Sequence, residues 1–310
     1  MRAFGSTMNA TGYFLFGMNV HMPRAFGELT TEHRTLSWAH GDIENRLFFR
    51  GNRFTRVNSL LSLVLATMFS LLFYGAMLLI PNTPVGGRFI GQGIIPAAIV
   101  FLSSWCVAIL LVKWRKLAMQ RRVLSLNAIP DEADFVLSPS SVERVNKLMH
   151  QQVDDPRKFV LFNRIEIALS NLKNIGRVSD VDEILKSQAE ADEAVSESSY
   201  VLLSGFLWAI PILGFIGTVL GLSVAIGEFG SVMSASESSE ALLPALQNVT
   251  GGLGVAFDTT LIALVAALSI QMLTTFLRKA EQEFLDDCSE YCTRNVVNRL
   301  RLLPFVEGSD

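Results

Sequence analysis

The chain has 310 residues, of which 50% are hydrophobic and only 18% charged, with a net charge of −3 and a mean hydropathy of +0.37. Soluble domains carry about 25% charged residues, so this is not a pair of ordinary soluble domains. Three cysteines exclude a disulfide scaffold. Four scattered histidines, with no H-E-x-x-H and no Cys-pair framework, point to no metal site. A slightly acidic chain gives no electrostatic reason to expect nucleic-acid binding.

Segment 1–56 reads as an N-terminal arm with seven Arg, no Lys and four acids. Phe14, Phe16 and Phe26 alternate with polar residues, a pattern open to two readings: a short amphipathic helix on the inner leaflet, or a loosely ordered arm. A bilayer core of about 30 Å requires roughly 20 apolar residues in helix. Val57 to Ile80 supplies such a run without a charge, and a second extends from about Ile94 to Val112, ending at Lys113, Arg115 and Lys116. Together, 57–112 form a first hairpin, bulky and poor in hydroxyls as lipid-facing helices are.

Segment 113–201 reads as a helical domain. Ser140 with Glu143 makes a capping box before Val145, Leu148 and Met149. Pro156 opens a helix carrying Phe159, Phe162, Ile165, Ile167 and Leu172, closed by Gly176. A further helix begins near Asp180 and is expected to run unbroken into the third span. Basic pairs such as Arg121-Arg122 suit contact with anionic lipid headgroups, ahead of contact with a rotor or effector.

Segment 202–277 forms a second hairpin of different character. Its first span, about Leu202 to Ile226, carries Gly214, Gly217 and Gly221 on a near-common face for close helix packing, and Pro211 where a kink is expected. Its second, about Gly251 to Leu277, contains Asp258, Thr259 and Thr260. Asp258 lies roughly 10 Å below the outer end and Thr218 of the preceding span roughly 12 Å, so Thr218 and Thr260 should meet at nearly one level. Intramembrane carboxylates and hydroxyls facing one another suggest a hydrated ion route. Glu228, Glu237 and Glu240 in the connecting loop are open to two readings: they concentrate cations at its mouth, or they only keep the loop soluble. Segment 278–310 is expected to continue as a polar helix to about Leu303, with Cys288 and Cys292 as two small residues on one face.

Lys and Arg distribution sets the expected orientation. Seven lie before the first span, one in the 81–93 turn, thirteen in 113–201, none in 227–250 and five after 277. Both termini are therefore expected in the cytoplasm. No second buried acid could relay a proton across the inner half, so one chain makes a poor complete pump and calls for copies of itself or a partner.

Two stretches carry a family resemblance. Residues 208–222, WAIPILGFIGTVLGL, resemble the signature of the MotA/TolQ/ExbB proton-channel family, and residues 251–264, GGLGVAFDTTLIAL, its final-span motif, the likeness covering about 155–285. The resemblance implies an all-α membrane protein of the bacterial inner membrane, with four transmembrane helices, helical cytoplasmic extensions and a homopentameric ring. It implies a stator-type motor subunit around two single-span helices of a MotB/TolR/ExbD-like partner, driven by protons or sodium, and no enzyme. The process driven could be motility, protein transport and envelope work, gliding or defence. Thr218 and Thr260 match the family's lining threonines, and Thr259-Thr260 is similar to sodium-type stators. The residues themselves leave open a stand-alone channel or a passive membrane scaffold. No G-x-S-x-G or Walker loop supports a membrane enzyme.

Overall fold

The computed structural model describes residues 36–47, 54–79, 89, 93–126, 128–130, 136–138, 141–175, 178–235 and 242–300. Among these the chain is helical, with no β-strand. Two single turns, α1 (Trp38–Gly41) and α2 (Ile43–Arg46), precede α3 (Ser59–Leu79) and α4 (Ile94–Leu124). Then come α5 (Val142–Gln152), α6 (Val160–Ile175), α7 (Val178–Ser198), α8 (Val201–Ala235) and α9 (Leu242–Asn295). Four helical stretches are long and apolar enough to cross a membrane, one in each of the four places expected. The closest partnership is α8 with α9, while α4 packs against α3, α8 and α9.

Charges stop none of the long helices at the membrane boundary. α4 continues past Val112 for three more turns, and its face of Cys106, Ile109, Lys113, Lys116, Gln120 and Val123 stays buried throughout. The 54-residue α9 likewise runs about 80 Å. Its buried positions Leu277, Glu281, Phe284, Cys288 and Cys292 recur at helical spacing, so the two cysteines share a packed face with no disulfide. The polar halves of α4 and α9, together with α1, α2 and α5–α7, make a foot below the apolar spans.

Residues 36–47 and 54–56, which the sequence places in the arm, pack into this foot. The Leu36 N–H donates to the Gln152 carbonyl at 2.8 Å, and Trp38 is buried edge-on against Phe159. Phe14, Phe16, Phe26, Ser140, Gly176, Glu237, Glu240 and Leu303 lie outside the described residues.

Four local expectations change. The cap of α5 is Ser141, not Ser140, and no capping box forms: the Ser141 Oγ closes a turn on Ser138 instead. Pro156 opens a short 3₁₀ turn (Pro156–Lys158), and α6 starts only at Val160. The Gln120 side chain splices that break, donating to the Lys158 carbonyl at 2.8 Å and accepting the Val160 N–H at 3.1 Å. The helix expected from Asp180 into the third span is interrupted at Ser199-Tyr200. There Ser198 and Ser199 hydroxyls take the carbonyls of Val195 and Ser196, competing with the helical ladder. Lastly, α9 ends at Asn295, because Val296–Leu300 turns aside: Arg299 bonds Pro130, and its carbonyl accepts the Leu137 N–H.

Candidate functional site

The α8–α9 contact is built on absent side chains. A Cβ placed on Gly214 would lie 2.5 Å from the Ala263 Cβ and 3.2 Å from the Thr260 Cα. At Gly221 it would lie 3.0 Å from the Ala256 Cβ, and at Gly252 2.8 Å from the Ala225 Cβ. Two backbones can approach this closely only where small residues face one another.

In this seam the hydroxyls of Thr218 and Thr260 meet directly. Thr260 donates to the Gly214 carbonyl at 2.9 Å, across the helix pair. Thr218 also lies 3.2 Å from that carbonyl and 3.3 Å from the carbonyl of Ala256. Each hydroxyl has one proton and two lone pairs. With the Thr260 proton on Gly214 and the Thr218 proton on Thr260, the lone pairs of Thr218 receive no donor from the contacts of this seam. Both threonines are half-buried. In that arrangement the Thr218 oxygen keeps acceptor capacity in a half-buried position.

Neighbouring residues go elsewhere. Thr259 is buried, donates to its own helix at Ala256 (2.8 Å), and fills the space left by Gly217, beside Ile95 of α4. Asp258 is half-buried and sits two residues, about 200°, around α9 from Thr260. Pro211 lies inside α8, which is helical on both sides of it. Lacking an N–H, it leaves the Leu207 carbonyl without its helical donor. With Leu207, Trp208, Leu264, Ala267, Leu268 and Gln271 it lines a groove of about 420 Å³. Trp208, Phe215, Phe257, Leu261, Leu264 and Leu268 are exposed, a large apolar surface on the one hairpin. Surfaces of this kind are covered by lipid or protein.

The foot holds charged clusters that sequence reasoning missed. Lys113 is paired with Glu281 at 3.1 Å, and Lys116 with Glu44 at 2.7 Å and Asp42 at 3.8 Å. Arg164 binds Asp192 at 2.7 Å. All seven side chains are buried. Asp42 is held above the usual carboxylate range by burial, which outweighs Lys116. The signal that could have found them is register: Lys113 and Lys116 continue the buried face of α4, as Glu281 continues that of α9.

Residues 154–289 match the model of the MotA/TolQ/ExbB proton channel family. No curated protein and no solved structure matches the chain. The matched stretch begins just after α5 and includes α6, α7, α8 and α9 down to Ser289, and with them both helices of the Gly/Thr seam. Residues 154–289, a little under half of the chain, are thus similar to the MotA/TolQ/ExbB proton channel family.

Proposed function

We propose that the chain is the ring-forming, stator-type subunit of an ion-motive-force-driven rotary motor in a bacterial inner membrane. Five copies would surround two single-span helices of a partner, with both termini and the foot in the cytoplasm. The observation that carries this reading is the Thr218–Thr260 contact, inside the family segment and on a seam too narrow for bulky side chains. Exposed apolar surface on α8 and α9 supports neighbours in a ring.

The mechanism follows from charge. One monovalent cation crossing the field releases about 2.3 kcal/mol per 100 mV. A partner carboxylate neutralised by the ion can lie against an apolar wall; once ionised again it is drawn to the next hydroxyl pair. Five sites around two helices cannot satisfy both helices together, so each transit turns the ring by a step. Protons are the favoured ion and sodium the alternative, with the direct test being ion substitution. Thr218→Val and Thr260→Val should each abolish ion-dependent work with the oligomer intact. Full activity of both variants beside their partner sinks the reading. Ion flux through liposomes holding this chain alone would favour a stand-alone channel instead.

A further inference from the structure

The α8–α9 pair is pinned in two places. One is Thr218–Thr260; the other is a single carboxylate in the foot. Glu281, 3% exposed, accepts the Tyr200 hydroxyl at 2.6 Å, the Lys113 ammonium at 3.1 Å and the Thr55 hydroxyl. Lys113 in turn donates to the Ser199 Oγ at 2.8 Å and lies 4.1 Å from the centre of the Tyr200 ring. The Arg278 guanidinium lies 4.7 Å from the same ring. One carboxylate thus joins α9, α4, the α7–α8 break and the segment leading into α3.

The two pins are matched in length. Tyr200 precedes Thr218 by 18 residues (218 − 200), and Glu281 follows Thr260 by 21 (281 − 260). At about 1.5 Å per residue these are about 27 and 32 Å, and the difference is bridged by the reach of the Tyr and Glu side chains. Around the threonine pin and beyond it, away from the foot, the seam is smooth. Gly214, Gly217, Gly221 and Gly252 face Ala263, Thr259, Ala256 and Ala225 of the partner helix, and the larger side chain against Gly217, Ile95, comes from α4. Between the pins the bulky buried residues of the pair are Leu203, Ile210, Ile270 and Leu277. The helix that must be held there is also the one whose ladder is interrupted, at Ser199-Tyr200. Glu281 and Lys113 hold that break from outside its own helix, at Tyr200 and Ser199.

We propose that Glu281 is a positioning residue: by clamping Tyr200 between α4 and α9 it sets the register of α8 on α9, and so the meeting of Thr218 with Thr260 about 30 Å away. The geometric claim stands on these contacts alone; its consequence for ion transit rests on the function proposed above. A slide of one residue, about 1.5 Å, would part both pins.

The test reads the distant pair directly. In the full chain, Thr218→Cys/Thr260→Cys is oxidised in native membranes with copper phenanthroline, the native cysteines being buried. Two further backgrounds remove the clamp. Lys113→Met/Glu281→Leu replaces the ion pair with apolar groups of similar size, an exchange that buried pairs often tolerate. Tyr200→Phe removes one oxygen and keeps the ring under Lys113 and Arg278. Both should slow disulfide formation about tenfold, as the loss of a charge-assisted hydrogen bond does to a two-state equilibrium, while melting temperature and oligomer size hold. Unchanged cross-linking in Tyr200→Phe overturns the proposal, including where the double variant fails to fold. With the threonines restored, the same variants should lose ion-driven work. Slowed cross-linking with full work upholds the positioning role and overturns the ion-route reading.

Discussion

The carboxylate of Asp154 accepts the main-chain N–H of Trp38 at 2.7 Å, across 116 residues of chain. It also takes the Ala39 N–H at 3.0 Å and the Ser37 hydroxyl at 2.9 Å, so the end of α5 caps the start of α1. Burial pushes this carboxyl up, but the N–H groups of Ala39 and Trp38, the Ser37 hydroxyl and the Asp155 N–H together hold it below the usual carboxylate range. A depressed folded-state pKa gives stability that is present above the unfolded value of 3.8 and lost as pH falls through the folded one. Asp154→Ala should cost about 1–2 kcal/mol, the size of a lost N-cap. Thermal melts in detergent should show that deficit at pH 7 and a narrowing gap to the parent as pH drops below 4. A gap that persists at low pH means the residue acts through packing.

The spans and the threonine pair were legible because they rest on short-range rules. Twenty apolar residues without charge need a bilayer, and counting residues from the outer ends puts Thr218 and Thr260 level. What was not legible depends on tertiary contact. Lys113 and Lys116 read as the charges that end a span; they are buried because Glu281, Asp42 and Glu44 arrive from segments far away in sequence. Nothing local announces that Gln120 will repair the break before α6, or that Val296–Leu300 will leave the helix for Leu137 and Pro130. Adjacent residues also part company: Thr259 and Thr260 differ by about 100° on α9, enough to aim one at Gly217 and the other at Gly214.

That divergence makes the two threonines a sharp test. Thr259 donates only within α9 in the contacts seen here, and Val nearly matches its shape. Thr259→Val is therefore expected to retain most ion-driven work, whereas Thr260→Val, which removes the hydroxyl between Thr218 and Gly214, should abolish it. Swimming, secretion or protection assays would serve equally, whichever work the partner performs. Equal defects in both variants would place Thr259 in the route as well.

Glycine substitutions should separate the seam from the rest of α8. Gly214→Ala brings a methyl 2.5 Å from Ala263 against two backbones that cannot give way, and overpacking of this kind costs about 1–3 kcal/mol. Gly205, on the same helix, has nothing within 4 Å of an added Cβ. Gly205→Ala should be neutral or stabilising by up to about 1 kcal/mol. Melting temperatures of the purified pair decide it; equal loss in both would mean that the seam is looser than its contacts.

Arg164 and Asp192 provide the cleanest measure of what the buried charges do in the foot. The guanidinium donates Nε to Asp192 at 2.7 Å and Nη1 to the Ser289 hydroxyl at 2.8 Å, binding α6, α7 and α9 together. Gln188 adds a donor to the other Asp192 oxygen at 3.0 Å. Nη2 is buried without a hydrogen-bond partner, so the site carries a desolvation cost that its bonds only partly offset. Removing one partner strands the other charge: Arg164→Met and Asp192→Leu should each destabilise by about 3–5 kcal/mol. The double variant should regain most of that loss, since two apolar groups leave no charge unpaired. A cycle of melting measurements on the full chain yields the coupling directly. If the double variant is as unstable as the sum of the singles, the ion pair contributes no coupling and the three helices are held by their apolar contacts alone.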